Sequence, residues 1–197
     1  MTLATPIKTE EKKVYSCEEY LNLEEKSEEK HEYHNGEIIP MTGGTTNHNL
    51  LAGKFYALLL SLLNDEKYQV YIGDVRLWIE DYNRYTYPDV MVIKGEPIYQ
   101  GKGQNIVTNP LLIVEVLSNS TKDYDHNDKF DSYRTLATFQ EYLLVDQYQF
   151  YVKQFKKTEQ NEWLLKDYRG ENSIVQLSSL NLNISLNELY KKVKFDR

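Results

Sequence analysis

The chain has 197 residues, 41% apolar and 27% charged, a composition that suits a soluble globular domain with a core needing no staples. A net charge of −7 argues against a protein that coats nucleic acid through its overall field, although metal-binding carboxylates would add negative charge that a bound cation reverses locally. The single cysteine, Cys17, cannot close an internal disulfide, no Cys/His cluster has zinc spacing, and no apolar run suits a signal peptide or a bilayer span, so a cytoplasmic protein is expected.

In chain order, residues 1–14 read as a loose arm. Ser16 with Glu19 forms a capping box that opens a charged helix reaching about Lys30. Residues 31–41 read as two short strands around Asn35-Gly36, the strongest short hairpin signal, followed by a Gly/Thr loop over 42–46. A long helix is predicted from Asn47 to Leu63, with His48, Ala52, Phe55, Leu59 and Leu62 on one stripe. Strands follow near 68–72 and 74–80, then from Tyr87 to Ile93, opened by Pro88 where a missing N–H is best tolerated. A polar loop over 94–109 leads to Leu111–Leu117, the most apolar strand and therefore central. A helix over 126–138, a strand Glu141–Asp146, a meander over 149–156, 162–168 and 173–177 and a short helix over 185–192 complete the chain. With no repeat and no linker, this order predicts a single α/β domain over 1–197 with a mixed sheet flanked by helices and additional antiparallel strands.

Asp89 and Glu115 stand on apolar strands, where a carboxylate is expensive to bury unless it is paired or binds a metal. Glu115 is flanked by Leu111, Leu112, Ile113, Val114, Val116 and Leu117. One account is a divalent-metal site; the other is a buried salt bridge to Lys129 or Arg134.

Tyr87-Pro88-Asp89-Val90, followed about 25 residues later by Ile113-Val114-Glu115-Val116-Leu117-Ser118, resembles the PD-(D/E)xK motif of restriction-endonuclease-like enzymes. More closely, the chain is similar to a large bacterial family of restriction-endonuclease-like proteins first filed as a domain of unknown function. The likeness takes in His31 to Glu37, His48, Leu117 to Thr121, Asp125, Lys129, Tyr133 and Glu141 to Asp146, roughly residues 15–155. It implies a metal-dependent DNA endonuclease. Asp89 and Glu115 would be ligands of Mg²⁺ or Mn²⁺, with the Val116 carbonyl a further donor. The chain departs from the motif at Leu117, where the general pattern has lysine two residues after the glutamate. The resemblance implies that this lysine has moved to the next helix, which makes Lys129 the candidate and Lys122 the fallback. Asp125, Lys129 and Tyr133 fall at i, i+4 and i+8 on one helix face. The resemblance also draws Glu32 and His48 into the cleft, whereas on local grounds they read as a surface glutamate and a satisfied histidine. His31, His34 and His126 read as solvent-facing.

The competing function is a non-catalytic nucleic-acid-binding or regulatory protein that keeps the nuclease fold, favoured by the absent motif lysine. A symmetric homodimer is expected from the two-fold pseudo-symmetry of duplex DNA. The seventeen tyrosines and the apolar stretch Tyr142–Val152 are candidates for its interface. The tail lysines Lys153, Lys156, Lys157, Lys191, Lys192 and Lys194 read as phosphate contacts or as solvated surface.

Overall fold

The computed structural model describes residues 13–118 and 128–195. Most of the expected N-terminal arm, together with Lys122, Asp125 and His126, lies outside the described residues.

Helix α1 (Cys17–Glu24) starts at the expected box: Ser16 Oγ accepts from Glu19 N at 3.1 Å while Glu19 Oε2 accepts from Ser16 N at 2.7 Å. It stops well before Lys30, because Glu25 to Lys30 carries no apolar residue to bury. Strands β1 (His31–His34) and β2 (Glu37–Pro40) form the expected hairpin. Its two corner residues, Asn35 and Gly36, both have positive φ, 45° and 102°, as a two-residue turn matched to strand twist requires. Helix α2 (Thr46–Leu62) is capped by Thr45 and buries Leu51, Ala52, Phe55 and Leu59. Leu62, expected on the buried stripe, is 49% exposed, and the extended residue Leu63 packs on the core in its place.

The rest of the chain is mainly strand: β3 (Tyr68–Ile72), β4 (Arg76–Ile79), β5 (Arg84–Thr86), β6 (Val90–Lys94), β7 (Ile106–Val107), β8 (Leu112–Leu117), β9 (Glu141–Asp146), β10 (Tyr151–Lys157), β11 (Trp163–Arg169), β12 (Ile174–Leu177) and β13 (Leu182–Ser185). Short helices α3 (Phe130–Tyr133) and α4 (Leu186–Leu189) interrupt them. One sheet has the order β2-β1-β5-β4-β7, a second β11-β10-β9-β8-β6-β3, and β12 pairs only with β13. The pairs β4–β7 and β8–β9 are parallel and the others antiparallel.

Several expectations need correction. The strand expected from Tyr87 begins only at Val90, because β5 belongs to the other sheet and Tyr87-Pro88-Asp89 is the crossing between the two. Pro88 therefore sits where no ladder donor is needed. The polar loop 94–109 contains β7, too short to show a period. Within the expected helix over 126–138, the described part is a π-type turn at 128–129 and one turn of α3, followed by turns to Thr138. Strand β12 leaves the meander to pair with β13, which the sequence did not announce.

Strand parity sorts the core. Leu112, Val114 and Val116 of β8, with Val90 and Val92 of β6, face α2 in one cluster. Ile113 and Leu117, with Met91 and Ile93, face the other way, toward Leu77, Ile79, Tyr133 and Tyr142. Asp89 and Glu115 share the parity of this second set. Tyr142 to Val145 and Val152 are fully buried, so most of the stretch proposed for a dimer interface lies in the chain's own core.

Candidate active site

Glu115 comes from the middle of β8, a strand buried along its whole length, and is 3% exposed. Asp89 stands one residue ahead of β6. The β6–β8 register sets Val90 opposite Val114, which brings Asp89 alongside Glu115 across the ladder. The two carboxylates cross over each other's backbone: Asp89 Oδ2 accepts from Val116 N at 2.7 Å, and Glu115 Oε2 lies 3.4 Å from Asp89 N. Asp89, expected on a strand, therefore reaches Glu115 from the crossing between the two sheets.

Lys129 approaches from the turn before α3. Its Nζ donates to Glu115 Oε1 at 3.0 Å, and Tyr133, one helical turn on, donates its hydroxyl to the same oxygen at 2.8 Å. At 6% exposure Lys129 is not part of a surface pair. Arg134, the other candidate partner, pairs with Asp131 in solvent instead. Burial, then the Glu115 carboxylate, pushes the Tyr133 phenol well above its ordinary pKa, so it remains a donor. The Lys129 turn is tied to the first sheet by Arg84 of β5, whose Nη1 donates to Asp128 O and Ser132 Oγ, both at 3.1 Å. Ser132 Oγ in turn donates to Lys129 O at 2.8 Å.

Behind Lys129 lies Glu32 of β1, with Oε1 at 3.6 Å from the ammonium. Thr86 Oγ1 donates to the same oxygen, and His34 Nε2 lies 3.0 Å from Glu32 Oε2. Burial alone would raise the Glu32 carboxyl, but Lys129 first, then His34 and Thr86, hold it at about 2. Glu32 touches the lysine rather than the cleft. His34, expected in solvent, is a partner of Glu32, and His31 is paired with Glu24 at 3.0 Å. The missed signal was parity: Glu32 and His34 are i and i+2 on one strand, so their side chains share a face.

His48, in the first turn of α2, places Nε2 3.1 Å from Asp89 Oδ2. The 41–45 loop passes close over its ring, since a Cβ on Gly44 would stand 2.9 Å from Nδ1. The cleft so formed holds about 330 Å³ and is lined by His48, Asp89, Glu115, Val116, Lys129 and Tyr148 together with that loop.

The donor set fits a hard divalent cation. Asp89 Oδ1 takes no hydrogen bond among the described residues and Glu115 Oε2 makes a long contact to Asp89 N, and both carboxylates line the cleft. Among the described residues no three acidic, His or Cys side chains form a closed cage. Two carboxylates are the protein share that Mg²⁺ commonly takes, the rest of its shell coming from water and substrate oxygens.

Comparison with known proteins adds two uncharacterized proteins of Synechocystis sp. One, sll1609, is 43% identical over 170 residues, covering 86% of this chain and 96% of its own. The other, slr1290, is 33% identical over 180 residues, covering 91% and 93%. A crystal structure from Anabaena variabilis ATCC 29413, described as a "putative nuclease belonging to DUF820", shares the fold with a TM-score of 0.75 at 18% identity, over 91% of this chain and 99% of that one. The model of the Uma2 family, described as "Putative restriction endonuclease", matches residues 17–187, and the chain therefore belongs to that family.

Proposed function

We propose that the protein is a divalent-metal-dependent nuclease that hydrolyses phosphodiester bonds in DNA, acting in the cytoplasm. The observation that carries this reading is the arrival of Lys129 Nζ at 3.0 Å from Glu115 although the motif position on β8 is Leu117. The family's description and that of the structural neighbour support it.

In this reading Asp89 and Glu115 offer oxygen ligands, and the Val116 carbonyl is a further donor. Bound Mg²⁺ or Mn²⁺ supplies Lewis acidity and a water of lowered pKa. Lys129 orients the attacking water and offsets negative charge on the phosphoryl oxygens. Tyr133 and Lys129 hold Glu115 by Oε1 at the edge of the cleft. His48 orients Asp89, and Glu32 holds the Lys129 ammonium in place. Leu117 is 2% exposed and packs in the core, and Lys129 brings an ammonium to Glu115 in place of a lysine there.

We extend the reading to a symmetric homodimer. Its support has moved from Tyr142–Val152 to β11, an edge strand whose Leu164 and Leu165 are 57% and 55% exposed.

The test is supercoiled plasmid incubated with purified protein and Mg²⁺ or Mn²⁺, beside chelator, Glu115→Gln and Lys129→Met. Nicking or linearisation by the wild type is expected, with a loss of at least ~10²-fold in either variant, as for removal of one positioned electrostatic group. Cleavage that survives Glu115→Gln, or no cleavage under any of these conditions, overturns the proposal.

A further inference from the structure

The fold divides the tail lysines into two groups. Lys156 and Lys157, at the end of β10, border a cavity with Gln140, Leu164 and Ser179. Lys192 and Lys194 border a different one, of about 510 Å³, with Asn47, Leu50 and Phe195. This second cavity shares Thr45 and Tyr148 with the cleft that holds Asp89 and Glu115, so the two lie side by side along one trough.

The lysine segment rests on the scaffold that carries the carboxylates. Asn47 Nδ2 donates to Lys194 O at 2.7 Å. Phe195 packs on Phe150 and Tyr190, with ring centroids 5.0 and 5.8 Å away. Thr45 donates to the buried Gln147, whose Nε2 donates to the carbonyl of Leu117, the last residue of β8, at 2.7 Å. Further along α2, burial first and then Lys191 and Lys192 lower the Lys54 ammonium pKa, with Glu188 opposing. Lys192 and Lys194 therefore line a cavity beside the cleft, with Lys191 and Lys54 close to Lys192, in a chain whose net charge is −7. Such a local reversal of sign suits a polyanion. Lys192 is held at φ 72°, a left-handed conformation that glycine would adopt more easily.

We infer that this second cavity is the track along which a DNA strand leaves the catalytic cleft. Lys192 and Lys194 contact neighbouring backbone phosphates, with the 45% exposed Tyr148 beside them. The inference rests on the nuclease reading and goes further by naming the phosphate-binding residues, none of which touches the reacting atoms.

The experiment uses the full chain in chelator, so that nothing is cut, and follows the anisotropy of a labelled DNA duplex across a salt series. The double variant Lys192→Gly/Lys194→Gln is expected to bind about tenfold more weakly near 0.1 M salt, with the slope of log K against log salt reduced by nearly two. Lys156→Gln/Lys157→Gln should bind as the wild type does. Lys192→Gly relieves the left-handed backbone and Lys194→Gln keeps its backbone bond, so the double variant's melting temperature should equal or exceed the wild-type value, and weaker binding then cannot be ascribed to unfolding. Unchanged affinity and slope in the double variant, with the wild type binding DNA, overturn the track and leave the nuclease reading standing. A wild type that binds no DNA overturns the track, while the nuclease reading is decided by the plasmid assay.

Discussion

Replacing Glu32 by glutamine removes one negative charge from a closed pocket while keeping its shape. The carboxyl, ordinarily near 4.5, is held at about 2 in the fold by Lys129, His34 and Thr86 despite its burial. At 1.36 kcal/mol per pH unit, that depression contributes roughly 3 kcal/mol of stability at neutral pH. The sign follows from the direction: with the folded pKa below the unfolded one, the contribution is full above about 4.5 and drains away as pH falls toward 2. At pH 3 roughly 1.4 kcal/mol remains, a loss of about 2 kcal/mol from the value at pH 6. Urea denaturation of wild type and Glu32→Gln at both pH values isolates this carboxyl, because the other titrating groups are common to the two proteins. The stability difference between them should shrink by about 2 kcal/mol on acidification. A difference that does not change with pH would refute the account of Glu32 as an ionised partner of Lys129.

Tyr133→Phe removes a buried hydroxyl that donates to a carboxylate at 2.8 Å. A stability loss of about 2 kcal/mol is expected, a fall of roughly 4–8 °C in melting temperature, and a loss below about 0.5 kcal/mol would show that the bond contributes nothing. Sedimentation of the 23.3 kDa chain at micromolar concentration should report a dimer that Leu165→Lys dissociates. A wild-type monomer there removes the dimer and leaves nicking of one strand as the available chemistry.

What could be read in the sequence was what local chemistry decides. The box at Ser16, the corner at Asn35-Gly36 and the bounds of β9 follow from capping, positive φ and unbroken apolar character, and all appear in the fold. Asp89 and Glu115 stood out because each interrupts an apolar run. Lys129 was legible as one of two possible salt-bridge partners of Glu115, but its choice over Arg134 and its catalytic role came through the family resemblance, since no local pattern ties a turn residue to a strand 14 positions earlier. The missed features depend on contacts between distant segments. Strand β7 is two residues long and exists because β4 lies beside it. Arg84 reads as an ordinary surface arginine until β5 is set against the Lys129 turn. The buried tyrosines read equally well as an interface, because composition does not say which side of a sheet is covered by the same chain.

The pinning of the Lys129 turn by Arg84 makes the site a joint product of two sheets. The carboxylates belong to the ladder between β6 and β8, whereas the ammonium is carried by a short segment leaning on β5. Movement of β5 against the second sheet would therefore carry the ammonium with it and leave the β6–β8 ladder intact. Warming or mild denaturant would then disarm the centre in stages, with the lysine withdrawn while the acidic pair still faces the cleft. Cation affinity and cleavage would decline along separate curves. Substitutions at Arg84 or Ser132, which reach the acidic pair only through the Lys129 segment, would widen the gap between those curves.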